Sequence, residues 1–143
     1  MISKQREALR MMFGGRCAYC GCELDGKWHK DHVEPVNREW EYIKDEHGNY
    51  VTKDGITQTR STGKLRNPEN DHSANYYPAC VRCNILKSNA NVEGFRSMLT
   101  YFASSIPNIA GYSHVHHLMR FGKLHIDATP VQFWFEKFSE ANQ

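Results

Sequence analysis

The feature that most constrains the fold is a pair of Cys-x-x-Cys motifs that lie far apart in the chain. Cys17 and Cys20 form the first motif, and Cys80 and Cys83 form the second. Four thiolates in two such pairs are what a tetrahedral structural Zn²⁺ site requires, and a site of this kind leaves no position open for a reaction. The sequence therefore predicts a four-cysteine zinc site that builds structure. Any chemistry must come from the residues that this site holds together.

Length and composition predict one domain. The chain has 143 residues, of which 40% are hydrophobic, and a domain of this size buries a modest core that a metal site would reinforce. No apolar run approaches the roughly 18 residues of a membrane helix, and the first residues lack the apolar stretch of a secretory signal. We therefore expect a single domain over 1–143, located in the cytoplasm and without a membrane partner.

The fifth cysteine, Cys22, is left over from the two motifs. Cytoplasmic thiols stay reduced, so paired cysteines there indicate metal more often than disulfides. Cys22 is too close in sequence to Cys20 for both to bind one ion easily alongside Cys17. We expect Cys22 to be a small, buried or half-buried residue that is not a ligand.

The charge is only weakly suggestive of nucleic acid. The formal net charge is +2, far from that of a polybasic binder. The stretch 53–66 is more basic than the rest, with four cations against Asp54 alone: Lys53, Arg60, Lys64 and Arg66. Lys64 and Arg66 are candidate DNA contacts, although a solvated loop explains the same pattern.

Periodicity predicts several helices. Residues 3–13 form an amphipathic pattern with Ser3 as N-cap and Gly14 as stop. Residues 81–88 predict a short helix at the second Cys-x-x-Cys motif, and 92–102 carry an apolar stripe at helical spacing. A further helix is predicted after Pro107, ending near Arg120 and Phe121.

Strands are predicted elsewhere, which makes the expected fold class α+β. Residues 27–36 suggest a short strand or hairpin arm. The insertion 38–74 is the loosest part, with turns and short strands near 50–52 and 56–59. The aromatic-rich stretch 131–138 favours a closing C-terminal strand, with a short buried helix as the alternative. The expected core spans about 15–90, and 103–143 is a C-terminal extension.

Asp31 and His32 form the motif with the clearest chemical potential. An imidazole accepts a proton from water near neutral pH, which suits His32 to general-base chemistry. Asp31 offers the hard oxygen that Mg²⁺ prefers. Adjacent residues of a regular strand point to opposite faces, so the pair needs a strand end or a bulge to share a site. Taken alone, such a dipeptide is more often a surface pair.

The context of this pair resembles the HNH (His-Asn-His) endonuclease family, in its zinc-containing, phage- and restriction-associated branch. The likeness covers about residues 5–102 and depends on three motifs in order: Cys17-Ala18-Tyr19-Cys20-Gly21, Asp31-His32-Val33-Glu34-Pro35, and Asn75-Tyr76-Tyr77-Pro78-Ala79-Cys80-Val81-Arg82-Cys83-Asn84-Ile85-Leu86-Lys87. The resemblance implies a ββα-metal core, in which two strands and a helix clasp one catalytic divalent ion. The structural zinc would lie behind that core.

The resemblance also implies roles for single residues. His32 matches the first His, the general base, and Asp31 the metal ligand before it. Asn75 matches the central Asn, which holds the segment that carries the base. Asn84 stands where the motif's name has a second His, and its amide oxygen suits Mg²⁺ well. The implied products carry 5′-phosphate and 3′-hydroxyl ends.

Other residues with chemical potential also have simpler interpretations. Asp71 and His72 repeat the Asp-His pair but are interpreted as loop, with His72 as a substitute ligand should Asn84 not bind metal. Arg82 and Lys87 share a helix with Asn84 and are candidate phosphate contacts. A second metal site is less favoured than an exposed helix face for His114, His116, His117 and His125. Core packing is favoured over base stacking for Phe133, Trp134 and Phe135.

The sequence therefore predicts a metal-dependent endonuclease that acts on DNA, with structural Zn²⁺ and catalytic Mg²⁺ or another divalent ion. An alternative is a zinc-stapled DNA-binding module whose nuclease centre is vestigial. A zinc adaptor that binds protein is a third hypothesis, but it leaves Asp31 and His32 unexplained.

Overall fold

The computed structural model of the chain describes residues 3–109 and 113–143 and is mixed α+β, with small antiparallel sheets. The helices in these ranges are α1 (Lys4–Met11), α2 (Val81–Lys87), α3 (Val92–Ser105), α4 (Ser113–Arg120) and α5 (Trp134–Ala141). The strands are β1 (Trp28–His32), β2 (Arg38–Tyr42), β3 (Thr52–Lys53), β4 (Ile56–Thr57), β5 (Thr59–Leu65) and β6 (Tyr76–Cys80).

The first helix follows the sequence prediction closely. The Ser3 side chain accepts a hydrogen bond from the Arg6 backbone N–H at 3.2 Å, as expected of an N-cap. Gly14 follows the helix with a φ of +68°, a conformation that side chains disfavour. The Arg6 guanidinium lies 4.1 Å from the centroid of the Trp28 ring and donates to the Trp28 carbonyl. These contacts dock α1 against β1.

A strand–strand–helix unit forms the centre of the molecule. β1 pairs antiparallel with β6, with Trp28 opposite Cys80 and His32 opposite Tyr76. α2 begins directly after β6, and Cys80 serves as its N-cap. The second Cys-x-x-Cys motif therefore spans the junction of β6 and α2, beside the start of β1.

Aromatic packing forms the buried core beside this unit. The rings of Tyr19, Phe95 and Phe133 lie with centroids 5.4 Å apart in each pair. Offset and edge-to-face rings at such distances add to the free energy gained by burial. The buried cluster also contains Cys17, Leu24, Trp28 and Ala79. One ligand of the first Cys-x-x-Cys motif is thus part of the core.

The insertion is more ordered than its turn-rich sequence predicts. β2 pairs antiparallel with β5, and β3 with β4, so that residues 38–66 form a β-arm, here called the arm. The register shifts between Arg38 and Trp40, where Gly63 on the opposite strand has a φ of +77°. Short strands near 50–52 and 56–59 were predicted, but the longer β2 and β5 were not. Their cross-strand hydrogen bonds join residues that are distant in sequence, which local patterns do not reveal.

The predicted closing C-terminal strand is wrong, because the structure has helix α5 there. The aromatic residues suggested a β-strand, but Glu136 begins a helix by accepting a hydrogen bond from the Phe133 N–H at 2.7 Å. The Trp134 indole donates to the Phe13 carbonyl at 3.0 Å. Phe133 is buried in the core, as predicted.

The remaining helices agree with the predicted pattern. α3 carries the apolar stripe, with Phe95 fully buried. A 3₁₀ turn at Ile106–Asn108 precedes α4, and part of the helix predicted between Pro107 and Phe121 (residues 110–112) lies outside the described residues. Among the described helices, none has the length and apolar character needed to cross a membrane.

Candidate metal centre and catalytic site

The four cysteines of the two motifs converge at one point. The Sγ atoms of Cys17, Cys20, Cys80 and Cys83 all lie within 4.8 Å of one another, and the Cys20 and Cys80 sulfurs are 3.8 Å apart. A tetrahedral zinc ion with Zn–S bonds of about 2.3 Å places its sulfurs roughly 3.8 Å apart. The donor set and its spacing therefore fit a structural metal ion such as zinc.

Backbone contacts hold the two motifs in this position. The Ala18 N–H donates to the Pro78 carbonyl at 2.8 Å, which ties the first motif to β6. The Trp134 N–H donates to the Tyr19 carbonyl at 3.0 Å, so the start of α5 closes over the same turn. The Cys83 N–H points to the Cys80 sulfur at 3.4 Å. Such N–H contacts stabilise a thiolate.

The cysteine thiols shift one another's pKa values strongly. A hydrogen bond from the Cys83 thiol lowers the pKa of Cys17, and the same contact raises the pKa of Cys83. Four adjacent sulfurs cannot all ionise without a cation to balance their charge. Desolvation of its sulfur, together with contacts to Cys20 and Cys80, raises the pKa of Cys22 to about 12. Cys22 as a residue is exposed, not buried or half-buried as predicted, and lies beside the four-sulfur cluster without joining it.

Asp31 lies immediately behind the first motif and is buried, with 5% of its surface exposed. Its Oδ2 accepts hydrogen bonds from the Tyr19 hydroxyl at 2.5 Å and from the Lys87 ammonium at 3.1 Å. Burial raises the pKa of the Asp31 carboxyl, although both partners favour its ionised form. No fully buried polar side-chain atom lacks a partner in the part of the chain that the structure describes. Asp31 also lines the cavity described below, and Tyr19 and Lys87 contact its Oδ2 and not its second oxygen, Oδ1.

Lys87 is placed differently from the sequence prediction. It was a candidate phosphate contact, but only 1% of its surface is exposed. Its ammonium donates to the His32 carbonyl at 2.7 Å as well as to Asp31. The prediction is corrected, because Lys87 supports the end of β1 from inside the molecule and is not available to a ligand at the surface.

His32 is the last residue of β1, which allows its side chain and that of Asp31 to border one cavity. Its Nε2 lies 3.0 Å from Asp71 Oδ1, and the Tyr76 hydroxyl donates to the same oxygen. Hydrogen bonds from Tyr76 and His32 lower the pKa of Asp71. An ionised carboxylate can only accept, so Nε2 carries the proton and Nδ1 is left as the basic nitrogen.

Asn75 connects the two segments that meet at His32. It is buried, and its amide donates to the carbonyls of Glu34 and Asn70 at 2.8 Å each. Its Oδ1 accepts from the Glu34 N–H at 2.9 Å. Asn75 therefore ties the turn after β1 to the loop that carries Asp71.

These side chains border a cavity of about 500 Å³. Asp31, His32 and Asp71 line one part of it, and Asn84 enters from α2. Its basic lining residues are Lys30 on β1 and Arg38 on β2. The cavity thus combines carboxylate and amide oxygens, one imidazole and two cations.

The other predicted residues lie elsewhere. Arg82 is exposed on α2 but does not line the cavity, and Lys64 and Arg66 are exposed on or beside β5. His72 is exposed and also absent from the cavity lining. Across residues 3–109 and 113–143, the four cysteines are the one group of His, Cys, Asp and Glu side chains arranged to hold a metal ion. In the same ranges the C-terminal histidines do not belong to any group of three or more such side chains.

Three charged residues of the cavity were missed from the sequence: Lys30, Arg38 and Asp71. Asp71 was interpreted as loop, and it is in a loop, but the fold turns its carboxylate towards His32. Lys30 could have been identified from the sequence, because it lies two residues before His32 and residues two apart on a strand share a face. The Lys30 ammonium lies 3.9 Å from the centroid of the Tyr76 ring.

Comparisons of this chain with known protein families, with curated proteins and with solved structures found no match. Any function proposed for it therefore depends on the geometry of the chain's own residues and on the motifs described above.

Proposed function

We propose that the protein is a metal-dependent DNA endonuclease of the HNH type. The observation that carries this proposal is the shared cavity, which Asp31, His32 and Asn84 all border. The resemblance implies a general base and two metal ligands at these positions. β1 pairs with β6, and α2 follows β6 directly, an arrangement of the kind that the implied ββα-metal core would have.

His32 is the proposed general base. With its Nε2 proton donated to Asp71, the Nδ1 lone pair is the atom that accepts a proton from the attacking water. The water oxygen then forms a bond to phosphorus, and the bond from phosphorus to the 3′ oxygen breaks. The 3′ oxygen leaves with the bonding electron pair and takes a proton from solvent to become the 3′ hydroxyl. Asp71 keeps the imidazole in this tautomer and orientation, which makes it a positioning residue.

Asp31 and Asn84 are the proposed ligands of a catalytic divalent ion. Hard cations such as Mg²⁺ prefer carboxylate and amide oxygens together with water, and this is the donor set that the cavity offers. Tyr19 and Lys87 hold Asp31 Oδ2 from behind, which leaves Oδ1 for the ion. When bound, the ion would stabilise the negative charge that develops on the phosphate and the leaving oxygen. Lys30 and Arg38 are placed to attract the phosphate into the cavity.

A zinc-stapled DNA-binding module with a vestigial nuclease centre is the second candidate. One observation favours it: the Lys87 ammonium already compensates the charge of Asp31, which weakens the attraction of that carboxylate for a cation. The positioned pair of His32 and Asp71 argues for the enzyme, because a module that only binds DNA has no need of an oriented imidazole.

The deciding experiment compares wild type with His32→Ala on supercoiled plasmid in Mg²⁺, Mn²⁺ and Ni²⁺. Wild type should nick or linearise the plasmid, and the variant should lose about 10²–10⁴ in rate, the usual effect of removing a general base. Zinc content, circular dichroism and DNA affinity should stay near those of wild type.

Two further variants separate the base from the metal ligands. Asn84→Ala should raise the Mg²⁺ concentration needed for cleavage, and so should Asp31→Asn at a temperature where circular dichroism shows it folded despite the unpaired Lys87. Excess Mg²⁺ should partly restore both rates but never that of His32→Ala. Wild-type cleavage that survives loss of His32 would refute this mechanism. DNA binding without cleavage in any of the three metals would favour the vestigial module.

A further inference from the structure

The arm carries an exposed row of aromatic side chains that its own fold leaves without cover. Trp40 is 54% exposed, Tyr42 60% and Tyr50 58%. The Tyr42 and Tyr50 rings meet edge to face with centroids 5.5 Å apart. Large aromatic residues usually contribute to stability by burial, so three at the surface of one β-arm call for a different explanation.

The row lies on one face of the arm. Trp40 and Tyr42 alternate with Glu39 and Glu41 along β2, and residues two apart on a strand share a face. Arg38 precedes them across the register shift. Lys44 pairs with Tyr50 across a β-bridge, and its ammonium is 5.1 Å from the centroid of that ring. The face therefore presents two aromatic rings about 7 Å apart along the strand and then the pair of Lys44 and Tyr50, and Arg38 lies before them at the base of the arm.

Charge is divided between the two faces. The carboxylates of β2 alternate with the aromatic row, and each accepts a hydrogen bond from β5. Glu41 accepts from Arg60 at 2.7 Å, and Glu39 accepts from the Thr62 hydroxyl at 2.9 Å. The residues of β5 directly opposite Trp40 and Tyr42 are uncharged, namely Ser61 and Thr59. The aromatic face therefore has the cation of Lys44 and neither carboxylate of β2, which suits a polyanionic ligand.

The row begins at the cavity of the candidate site. Arg38 and Leu65 face each other at the base of the arm, and both line the cavity that contains His32. A strand whose phosphate occupied the cavity would therefore have the base of the arm beside it. Aromatic side chains flanked by cations bind unpaired nucleotides by stacking on successive bases.

We infer that the aromatic face of the arm, made of Trp40, Tyr42 and Tyr50, stacks against unpaired bases of the nucleic acid strand that enters the cavity. This inference deepens the proposed function and rests on it for the identity of the ligand. It differs from the phosphate contacts predicted for Lys64 and Arg66. Stacking involves the bases and not the charged backbone, so its contribution to affinity depends only weakly on salt concentration.

The test measures binding of a fluorescent single-stranded oligonucleotide and of a blunt duplex in the His32→Ala background. Trp40→Leu and Tyr42→Leu should each weaken single-strand binding about fivefold or more, whereas Trp40→Phe and Tyr42→Phe should retain most of the affinity, since they keep the ring. Tyr101→Leu is the matched control, because Tyr101 is 67% exposed on α3, outside the arm. It should bind as its parent does.

Tryptophan fluorescence supplies a second measurement. The chain has three tryptophans, of which Trp28 is buried and Trp134 half-buried. Quenching by a bound oligonucleotide should therefore come mainly from Trp40. Unchanged affinity in the Leu variants would overturn the inference. So would equal losses on duplex and single strand, or a Trp40-dependent dimer in sedimentation, which would indicate a second copy as the occupant. If cleavage requires His32 but the Leu variants bind as their parent does, the inference is refuted and the proposed function stands. If binding depends on the aromatic rings but no cleavage occurs, the proposed enzyme is refuted and the inference stands.

Discussion

The Lys87 ammonium lies 3.1 Å from Asp31 Oδ2, and the two side chains form an ion pair that is almost fully withdrawn from solvent. The pair connects α2, which carries Asn84, to the end of β1, which carries His32. Tyr19, between the two ligands of the first Cys-x-x-Cys motif, donates to the same carboxylate oxygen. The candidate metal centre and the candidate catalytic site thus share one buried hydrogen-bond network.

Replacing Lys87 should therefore destabilise the whole fold. Lys87→Met leaves a buried carboxylate without its cation, which typically costs about 3–5 kcal/mol. The measurement is urea unfolding in the presence of zinc. Lys137→Met, an exposed lysine on α5, is the control and should change the free energy of unfolding by less than about 0.5 kcal/mol. Adding Asp31→Asn to Lys87→Met should recover part of the loss, and its failure to do so would contradict the buried-pair explanation.

The four-cysteine site should hold one zinc ion per chain. Cys17→Ser should unfold much of the domain, because binding energy at such sites is folding energy and Cys17 also belongs to the core. Elemental analysis and circular dichroism measure the two effects, before and after a chelator. Cys22→Ser is the control and should keep both zinc and fold. Well-folded wild type without zinc would refute the prediction.

Asp71 should affect turnover more than substrate binding. Asp71→Ala frees the His32 imidazole to rotate, and misplacing a reacting group lowers kcat by roughly 10- to 100-fold. KM should change little. Asp71→Asn should retain more activity because its amide oxygen still accepts from Nε2. The adjacent exposed residue provides the control, since His72→Ala should cleave like wild type. Equal activity of Asp71→Ala and His72→Ala would exclude a positioning role.

The docking of α5 should depend on Glu136. Its carboxylate lies 2.7 Å from the Arg96 guanidinium and caps the helix, and the hydrogen bond from Arg96 lowers its pKa. Because the pKa of Glu136 is lower in the folded state than in the unfolded state, its ionised carboxylate stabilises the fold at pH values above the usual carboxyl pKa. This stabilisation is lost as the pH falls through the pKa of the folded state. Glu136→Gln should therefore lower the free energy of unfolding by about 1 kcal/mol, equally from pH 8 to pH 5. Glu93→Gln, which removes a more exposed partner of Arg96, should cost less.

The basic residues of the arm should govern the salt dependence of DNA binding. Lys64→Ala and Arg66→Ala should each weaken affinity and reduce the slope of log K against log salt by about one unit, as expected for one lost phosphate contact. The measurement is duplex binding over a range of salt concentrations. Lys123→Ala, exposed outside the arm, should leave the slope unchanged. Unchanged slopes in the two arm variants would mean that these side chains are only solvated.

Local signals in the sequence were sufficient for several elements. The N-cap at Ser3, the helices α2 and α3 and the candidate metal ligands follow from spacing within a few residues, and such spacing is a local property. The β-arm was less predictable, because β2 and β5 are stabilised by pairing across a long segment. The C-terminal aromatics were misjudged because their high β-propensity concealed the hydrogen bond from the Phe133 N–H to Glu136 that begins α5.

By itself the sequence determined which chemistry is available: four thiols in two pairs, an Asp-His pair within a predicted strand, and Asn84 after the last cysteine. Only the tertiary structure decided how these groups are used. It buried Lys87 against Asp31 and brought Asp71, far along the chain, within 3.0 Å of His32. The physical reason is that burial and long-range hydrogen bonds arise from packing between distant segments, and no pattern within one segment specifies its partner.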